Sequence, residues 1–154
     1  MDAREFRNTL GRFATGVCVV TTESAEGPIG MTVNSFAAVS LEPALVLWSI
    51  QNTSDCFAAF TECERYGISV LQHSQQALSN QYARSMDHDI EASHLSRDEN
   101  GTPLIAGALA TFSCRTNAIH AGGDHHIIVG EVEAFTSVEG EPLIFFGGAY
   151  KGLA

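Results

Sequence analysis

Residues 108–135, ALATFSCRTNAIHAGGDHHIIVGEVEAF, give the strongest indication of the fold. The first part alternates between apolar and polar residues, which is typical of a strand with one buried face. The positions predicted to point inward are Ala110, Phe112 and Cys114, and those predicted to point outward are Thr111, Ser113 and Arg115. Gly122 and Gly123 predict a tight turn. The run HIIVGEVEAF predicts a second strand, with Glu131 and Glu133 on its solvent side.

The rest of the chain predicts more strands of this kind and two or three short helices. Strands are expected at 17–23, 29–40, 44–50, 67–72 and 143–146, and the strand at 44–50 is apolar enough to be buried on both faces. Asp2 is expected to cap a helix carrying Phe6, Leu10 and Phe13, and Ser54 to cap a helix that runs to Phe60. Residues 74–85 predict a third helix, and 86–103 a surface loop.

About seven strands without a repeat or a linker indicate one mainly β domain over residues 1–154. Closure of the sheet into a barrel is the usual way to remove exposed strand edges.

The charge of the chain argues against two classes of partner. It has 8 Lys and Arg against 18 Asp and Glu, a net charge of −10. Binding to nucleic acid or to an anionic membrane surface needs clustered basic residues, so neither is expected. No apolar run is long enough to span a membrane, and the charged N-terminus does not resemble a signal peptide. Four scattered cysteines without a CxxC pair favour buried thiols in a reducing cytoplasm.

The segment His120–His126 admits two interpretations. His120, Asp124, His125 and His126 carry atoms that can bind a metal ion, so a metal-binding β-barrel is one candidate. Adjacent residues that enter a strand point to opposite faces, however, so His125 and His126 are not expected to converge on one ion. The alternative is a glycine turn that carries partly exposed imidazoles, and it is preferred for His120 and His126.

Four blocks of sequence together resemble the short-chain flavin reductase family, the reductase components of two-component flavin monooxygenases. They are GRFATGVCVVTT (11–22), GMTVNSFAAVSLEPALVLWSI (30–50), GDHHIIVGEV (123–132) and GEPLIFFGGAY (140–150). The resemblance covers nearly the whole chain in the family's order. It implies an FMN-binding split β-barrel with a few short helices, usually a homodimer that binds flavin near the subunit interface. It also implies NAD(P)H-dependent reduction of FMN, or of FAD, and delivery of the reduced flavin to a partner monooxygenase.

The resemblance also assigns site residues. It matches Thr32, Val33, Asn34 and Ser35 to the family's flavin-contacting segment, adds Gln81 as a flavin position, and places His125 on the nicotinamide side, where Tyr150 is either the second contact or an ordinary half-buried aromatic. Ser49, Ile50, Gln51 and Ser54, at the end of a buried strand and the start of a helix, are assigned to the flavin from their own chemistry, with plain helix capping by Ser54 as the alternative. An N-terminus of a helix at Ser54 would offer free N–H groups to a phosphate. Trp48 and Phe36 are expected in the core. No charged catalytic group is evident, and hydride transfer between two cofactors requires none.

The chain departs from the family where basic residues are common. Gln81 stands where Arg is usual, the segment around His88 lacks the usual Lys-Phe pair, and Gly147 and Ala149 replace a basic pattern. Charge-assisted hydrogen bonds are stronger than neutral ones, so we expect flavin to exchange readily and NADH to be preferred over NADPH. A flavin-retaining electron carrier and the metal-binding barrel are the alternative functions.

Overall fold

The computed structural model describes residues 1–153 and consists mainly of strands. Its helices are α1 (Ala3–Leu10), α2 (Phe57–Glu62) and α3 (Gln76–Tyr82), with 3₁₀ turns at His73–Gln75 and Ala92–His94. The first six strands are β1 (Thr15–Gly16), β2 (Cys18–Ser24), β3 (Gly27–Val33), β4 (Ala37–Leu41), β5 (Ala44–Gln51) and β6 (Arg65–Val70). The others are β7 (Leu95–Arg97), β8 (Pro103–Ile105), β9 (Ala110–Gly122), β10 (His125–Ser137), β11 (Ile144–Phe146) and β12 (Ala149–Lys151).

Seven strands form one antiparallel sheet in the order β3-β2-β6-β9-β10-β5-β4. Its edge strands β3 and β4 are joined by residues 34–36 alone, a connection that spans at most about 14 Å. In a flat sheet of seven strands the two edges would lie about 29 Å apart. The sheet must therefore curl until its edges face each other, as the expected split barrel requires. The small sheets β1-β11-β12 and β7-β8 complete the fold.

The long strands β9 and β10 confirm the two strands predicted from residues 108–135, and Glu131 and Glu133 are exposed as expected. The outward direction predicted for Ser113 is wrong, because Ser113 is buried. Ser113 pairs with Gly67, and a Cβ atom added to Gly67 would meet Leu104 at 2.5 Å. The β7–β8 hairpin therefore covers this face of the sheet and buries the serine.

Two strand predictions need correction. The strand expected at 29–40 is broken after Val33, so β3 and β4 are separate edge strands. The strand expected at 44–50 is not buried on both faces: Val46, Trp48 and Ile50 are buried, whereas the alternating residues of β5 are partly or fully exposed. Among the described residues, this outer face is only partly covered.

The surface loop predicted for 86–103 is also wrong in part. Ile90 is buried in the core beside Val19 and Leu71, and residues 92–97 form a 3₁₀ turn and a strand. Two flanking contacts explain this: Gly30 N donates to the His88 carbonyl (2.8 Å), and Ile90 N donates to the Pro28 carbonyl (3.0 Å). The polar residues of this segment thus flank Ile90, which anchors the segment in the core.

The helix predictions are mixed. Asp2 caps α1 as expected, its carboxylate accepting from the amides of Arg4 (2.9 Å) and Glu5 (3.3 Å). The helix expected to start at Ser54 starts later, at Phe57, because the Ser54 hydroxyl accepts from the Cys56 amide (3.1 Å) in a local turn. With eight residues α1 is the longest helix described, and none is long and apolar enough to span a membrane.

Aromatic rings fill the main core, in which Trp48 is fully buried as predicted. Its ring centroid lies 5.0 Å from that of Phe60 and 6.0 Å from that of Tyr66, both in edge-to-face geometry. Gly130 of β10 makes room for Tyr66, since a Cβ at this position would lie 2.1 Å from the tyrosine hydroxyl. A second core under α3 contains Leu71, Tyr82 and Leu143.

Candidate functional site

A cleft of about 640 Å³ opens between the end of the edge strand β3 and the end of β5. This volume lies in the range of cofactor and ligand sites in proteins. The lining comes from the ends of β3 and β5, the turn between β9 and β10, and the segment that follows α3. The lining residues are Met31, Thr32, Val33, Asn34, Ser35, Ser49, Gln51, Thr53, Ser54, Asp55, Ala83, Arg84, Ser85, Met86, His88 and His125.

Ser35 ties the connection between β3 and β4 to strand β5. Its hydroxyl accepts a hydrogen bond from Ser49 N (3.0 Å) and lies 3.3 Å from the Ser49 carbonyl, to which it can donate. Thr32 is fixed from the other side, because its hydroxyl donates to the Ser79 carbonyl of α3 (2.7 Å). The Thr32 oxygen can therefore only accept from a ligand. The chain leaves the β3 ladder after Val33, so main-chain groups of residues 34–36 are not used by strand pairing.

The turn between β9 and β10 places His125 in the cleft. Gly123 has φ = 70°, a conformation that favours glycine, and His125 pairs with Gln51 across the ladder. His125 Nδ1 lies 2.6 Å from Asp124 Oδ1. This hydrogen bond, together with the charge of the imidazole, lowers the pKa of the Asp124 carboxyl. Because Nδ1–H donates to the carboxylate, Nε2 is the nitrogen left for a ligand.

His126 makes different contacts from its neighbour. Its Nδ1 lies 2.6 Å from Asn52 Oδ1, and its ring packs edge-to-face on Phe57 with centroids 5.1 Å apart. Neither His126 nor His120 lines the cleft. Within residues 1–153, the segment His120–His126 does not gather three ligand atoms at one point. This is the geometry expected for adjacent residues of a strand.

One group of potential metal ligands does cluster beside the cleft: Asp55, Cys56 and His88 have ligand atoms within 4.8 Å of one another. Burial, with a smaller effect from the Asp55 charge, raises the pKa of the Cys56 thiol to about 12, so the thiol is protonated. Both His88 nitrogens are also engaged, Nδ1 with the Gly30 carbonyl (3.0 Å) and Nε2 with Asp55 Oδ1 (3.0 Å). The cluster is better explained as a hydrogen-bonded support than as a metal site.

Asp55 holds the segment 83–88 over the cleft. Its Oδ2 accepts from Met86 N (2.7 Å), while Oδ1 faces His88. Met86 has φ = 63°, which is unusual for a non-glycine residue and needs support from its surroundings. His88 thus lies between two acceptors, the Asp55 carboxylate and the Gly30 carbonyl, and links this segment to β3. Arg84 of this segment is exposed and pairs with Asp87 at 3.3 Å.

The cleft contains most of the residues assigned from the sequence. Those that line it are Thr32, Val33, Asn34, Ser35, Ser49, Gln51, Ser54 and His125. Ile50, Gln81 and Tyr150 do not line it. Ile50 lies in the core, Gln81 Nε2 donates to Glu91 (3.1 Å), and the Tyr150 hydroxyl lies 2.7 Å from Ser79 Oγ. The phosphate site expected at a helix starting with Ser54 loses its basis, since α2 starts at Phe57.

Sequence reasoning missed the part of the lining contributed by Met31, Thr53, Asp55, Ala83, Arg84, Ser85, Met86 and His88. Asp55 and His88 lie 33 positions apart, and no periodicity connects them. A weak signal was available for the segment after α3. Arg84 follows Gln81 by three residues, close to the position where the resembling family commonly has a basic residue.

Comparisons with known proteins agree on one family. The family described as "Flavin reductase like domain" matches residues 10–154. The FMN reductase (NADH) SmoA of Agrobacterium fabrum is 50% identical over 97% of this chain and 85% of its own length. The reductase component of a flavin-dependent trigonelline monooxygenase from Acinetobacter baylyi is 43% identical over 97% of this chain, which spans only 50% of that protein. Among solved structures, an NADH:FAD oxidoreductase of Streptomyces globisporus in complex with NAD and FAD fragments superimposes with a TM-score of 0.93, at 36% identity and coverage of 99% and 93%.

Proposed function

We propose that this chain, which belongs to the flavin reductase-like domain family, is an NADH-dependent flavin reductase. It reduces FMN, or FAD in its place, and releases the reduced flavin to a partner monooxygenase. The observation that carries the proposal is the cleft itself, which brings together eight of the eleven residues assigned from the sequence, on three separate segments. The chemistry supplied by the bound cofactors is hydride transfer between a nicotinamide and a flavin ring.

The residues of the cleft suit a flavin better than they suit a hydrolysed substrate. The polar edge of a flavin ring carries both hydrogen-bond donors and acceptors, and the Asn34 and Gln51 amides offer both kinds of group. The Thr32 hydroxyl is restricted to accepting, which selects the donor side of that edge. The protein's task is then to hold two rings in contact and exclude water, since orientation dominates such reactions.

The remaining assignments are proposed in a modified form. Ile50 can contribute only through its main chain, because its side chain is in the core. Gln81 is given no direct contact with flavin, because its amide donates to Glu91 outside the cleft, and Tyr150 acts through Ser79, whose carbonyl accepts from Thr32. Thr53 and Arg84, which the sequence did not single out, are added as contacts of the flavin phosphate, because both line the cleft and Arg84 carries its one basic side chain.

The preference for NADH follows from the charges in the cleft. Arg84 is the single Lys or Arg among its lining residues, and Asp87 already pairs with it. A 2′-phosphate would need further basic partners. The name of the Agrobacterium relative, an FMN reductase (NADH), agrees with this preference.

We also infer a single domain that works as a cytoplasmic homodimer. Phe6, Leu10 and Phe13 on and after α1 are 49%, 59% and 78% exposed, and the outer face of β5 is only partly covered, so apolar surface is available for a second copy. All four cysteines are free, as a reducing compartment requires. Light scattering after size exclusion tests the dimer, since a mass of one chain would contradict it.

The function is tested by following NADH oxidation with FMN, FAD and riboflavin each in excess over the protein. We expect many turnovers per protein chain, a preference for NADH over NADPH, and flavin that is lost on gel filtration. Reduction of a single retained flavin per chain would favour an electron carrier instead. Activity that disappears with a chelator and returns with a metal ion would favour the metal-dependent alternative. If no flavin accelerates NADH oxidation, the proposal is wrong.

A further inference from the structure

We propose that Asn52 is a positioning residue that holds the turn Gly123–His126 against the end of β5 and thereby sets the place of the His125 imidazole. Asn52 itself does not line the cleft. The inference rests on the proposed function in one respect: it takes His125 as the side chain that contacts the nicotinamide.

Asn52 makes three hydrogen bonds to this one turn. Its main-chain N–H donates to the Asp124 carbonyl (2.9 Å), and its side-chain Nδ2 donates to the Gly123 carbonyl (3.1 Å). Its side-chain Oδ1 accepts from His126 Nδ1 (2.6 Å). The first bond continues the β5–β10 ladder by one step beyond the pair Gln51–His125. The other two cross-link the turn through a side chain.

An asparagine is chemically suited to this role because its amide offers a donor and an acceptor from one short side chain. Aspartate would keep the acceptor for His126 and lose the donor for Gly123. The acceptor also fixes the tautomer of His126, with the proton on Nδ1, while Phe57 holds the ring from one side. The Asn52 side chain thus fixes both the backbone of the turn and the orientation of the His126 imidazole.

The consequence for His125 follows from strand geometry. Adjacent residues of a strand point to opposite faces, so a His126 side chain held on one face directs the His125 side chain to the other, where the cleft lies. Hairpin ends are otherwise among the least protected parts of a sheet. Without Asn52, the His125 imidazole keeps its hydrogen bond to the exposed Asp124, which moves with the turn and gives no fixed reference.

The test compares Asn52→Ala, Asn52→Asp and His125→Ala, with Asn100→Ala as a matched control at an exposed asparagine far along the chain. We expect Asn52→Ala to raise the KM for NADH about tenfold and the KM for FMN far less, since the two lost side-chain bonds orient the turn alone. Asn52→Asp keeps the acceptor for His126, so it should raise the KM for NADH only about threefold above that of the unchanged protein. Asn100→Ala should change neither KM.

Two structural measurements keep the inference separate from the proposed function. Amide hydrogen exchange should become faster at residues 122–127 in Asn52→Ala and remain unchanged elsewhere, and the ¹⁵N shifts of His126 should show that its Nδ1 tautomer is no longer fixed. If exchange and tautomer are unchanged in Asn52→Ala, Asn52 does not hold the turn and the inference is overturned. If both change as expected while His125→Ala leaves the KM for NADH unaltered, the hold is real, and it is the nicotinamide role of His125 that fails.

Discussion

The two sides of the cleft are built in different ways. The strand wall consists of Ser49, Gln51 and His125, which the turn Gly123–His126 carries, and the loop wall consists of residues 83–86 and His88. The strand wall is continuous with the β5–β10 ladder, in which each residue from Leu45 to Gln51 has a partner. The loop wall lies outside the strands, and it is held by the Asp55 carboxylate and by the contacts of His88 with Gly30.

This difference separates two requirements of the proposed reaction. Hydride transfer needs a fixed geometry between two rings, because small displacements cost large factors in rate. A flavin that enters and leaves the cleft needs a wall that can move. Segments with few buried contacts are the ones that open most easily. We therefore expect changes at His125 in the strand wall to act on NADH and changes in the loop wall to act on flavin.

The largest effect is expected for His125→Ala in the strand wall. Loss of the imidazole removes a contact at the place where the nicotinamide is proposed to bind, and kcat/KM for NADH should fall up to about 100-fold. His120→Ala is the matched control, since His120 lies in the same hairpin, is exposed and does not line the cleft. The measurement is of initial rates at varied NADH concentration. Equal values of kcat/KM in the two variants would contradict the assignment of His125 to the nicotinamide side.

A smaller effect is expected for Asp55→Ala in the loop wall. The variant removes the acceptor for Met86 N and His88 Nε2, so the left-handed conformation at Met86 loses its support. We expect the KM for FMN to rise about tenfold, with faster hydrogen exchange at residues 83–88. Glu139→Ala, at an exposed carboxylate outside the cleft, is the control. A normal KM for FMN in Asp55→Ala would show that the loop wall does not govern flavin binding.

Arg84→Ala should have a still smaller effect that depends on the flavin. The guanidinium is 66% exposed and already pairs with Asp87, so its contribution to phosphate binding is screened by solvent. We expect the KM for FMN to rise about threefold and the KM for riboflavin, which lacks the phosphate, to stay constant. Raising the ionic strength should reduce the difference. An equal change for both flavins would place Arg84 away from the phosphate.

The smallest effect is expected outside both walls, at Glu133→Gln. A hydrogen bond from Arg65 (2.9 Å) lowers the pKa of the Glu133 carboxyl, and Arg115 adds a weaker contact at 3.4 Å. A lowered pKa in the folded state stabilises the fold above the ordinary value of a glutamate, and this contribution is lost as the pH falls through the lowered pKa. Glu133→Gln should lower Tm by about 1–3 °C at neutral pH and flatten the acid limb of the Tm profile. A change in either KM would contradict the separation of this network from the cleft.

How much of the molecule could be predicted depends on how locally each feature is encoded. The β9–β10 strands and the buried Trp48 follow from alternation and composition, which are local. Ser113 was misassigned because its cover, the β7–β8 hairpin, comes from another part of the chain. The start of α2 was misplaced because a serine hydroxyl can form a local turn as readily as a helix cap.

The same distinction between local and distant features applies to the cleft. Residues 32–35 and His125 could be assigned because each lies in a contiguous motif of the resembling family. Asp55 with His88, and Asn52 with His126, are pairs separated by 33 and 74 positions, and a single sequence contains no pattern that joins them. The hydrogen bonds that hold the site in place therefore could not be predicted from the sequence, although many of the residues that line it were predicted.

The most direct test of the account is a side-by-side measurement of two constants, the KM for NADH and the KM for FMN, in His125→Ala and Asp55→Ala. We expect a crossed result, in which His125→Ala raises the KM for NADH while leaving that for FMN near its original value, and Asp55→Ala does the reverse. If both variants change the same constant, His125 and the loop wall do not serve different substrates, and the proposed division of the cleft is wrong.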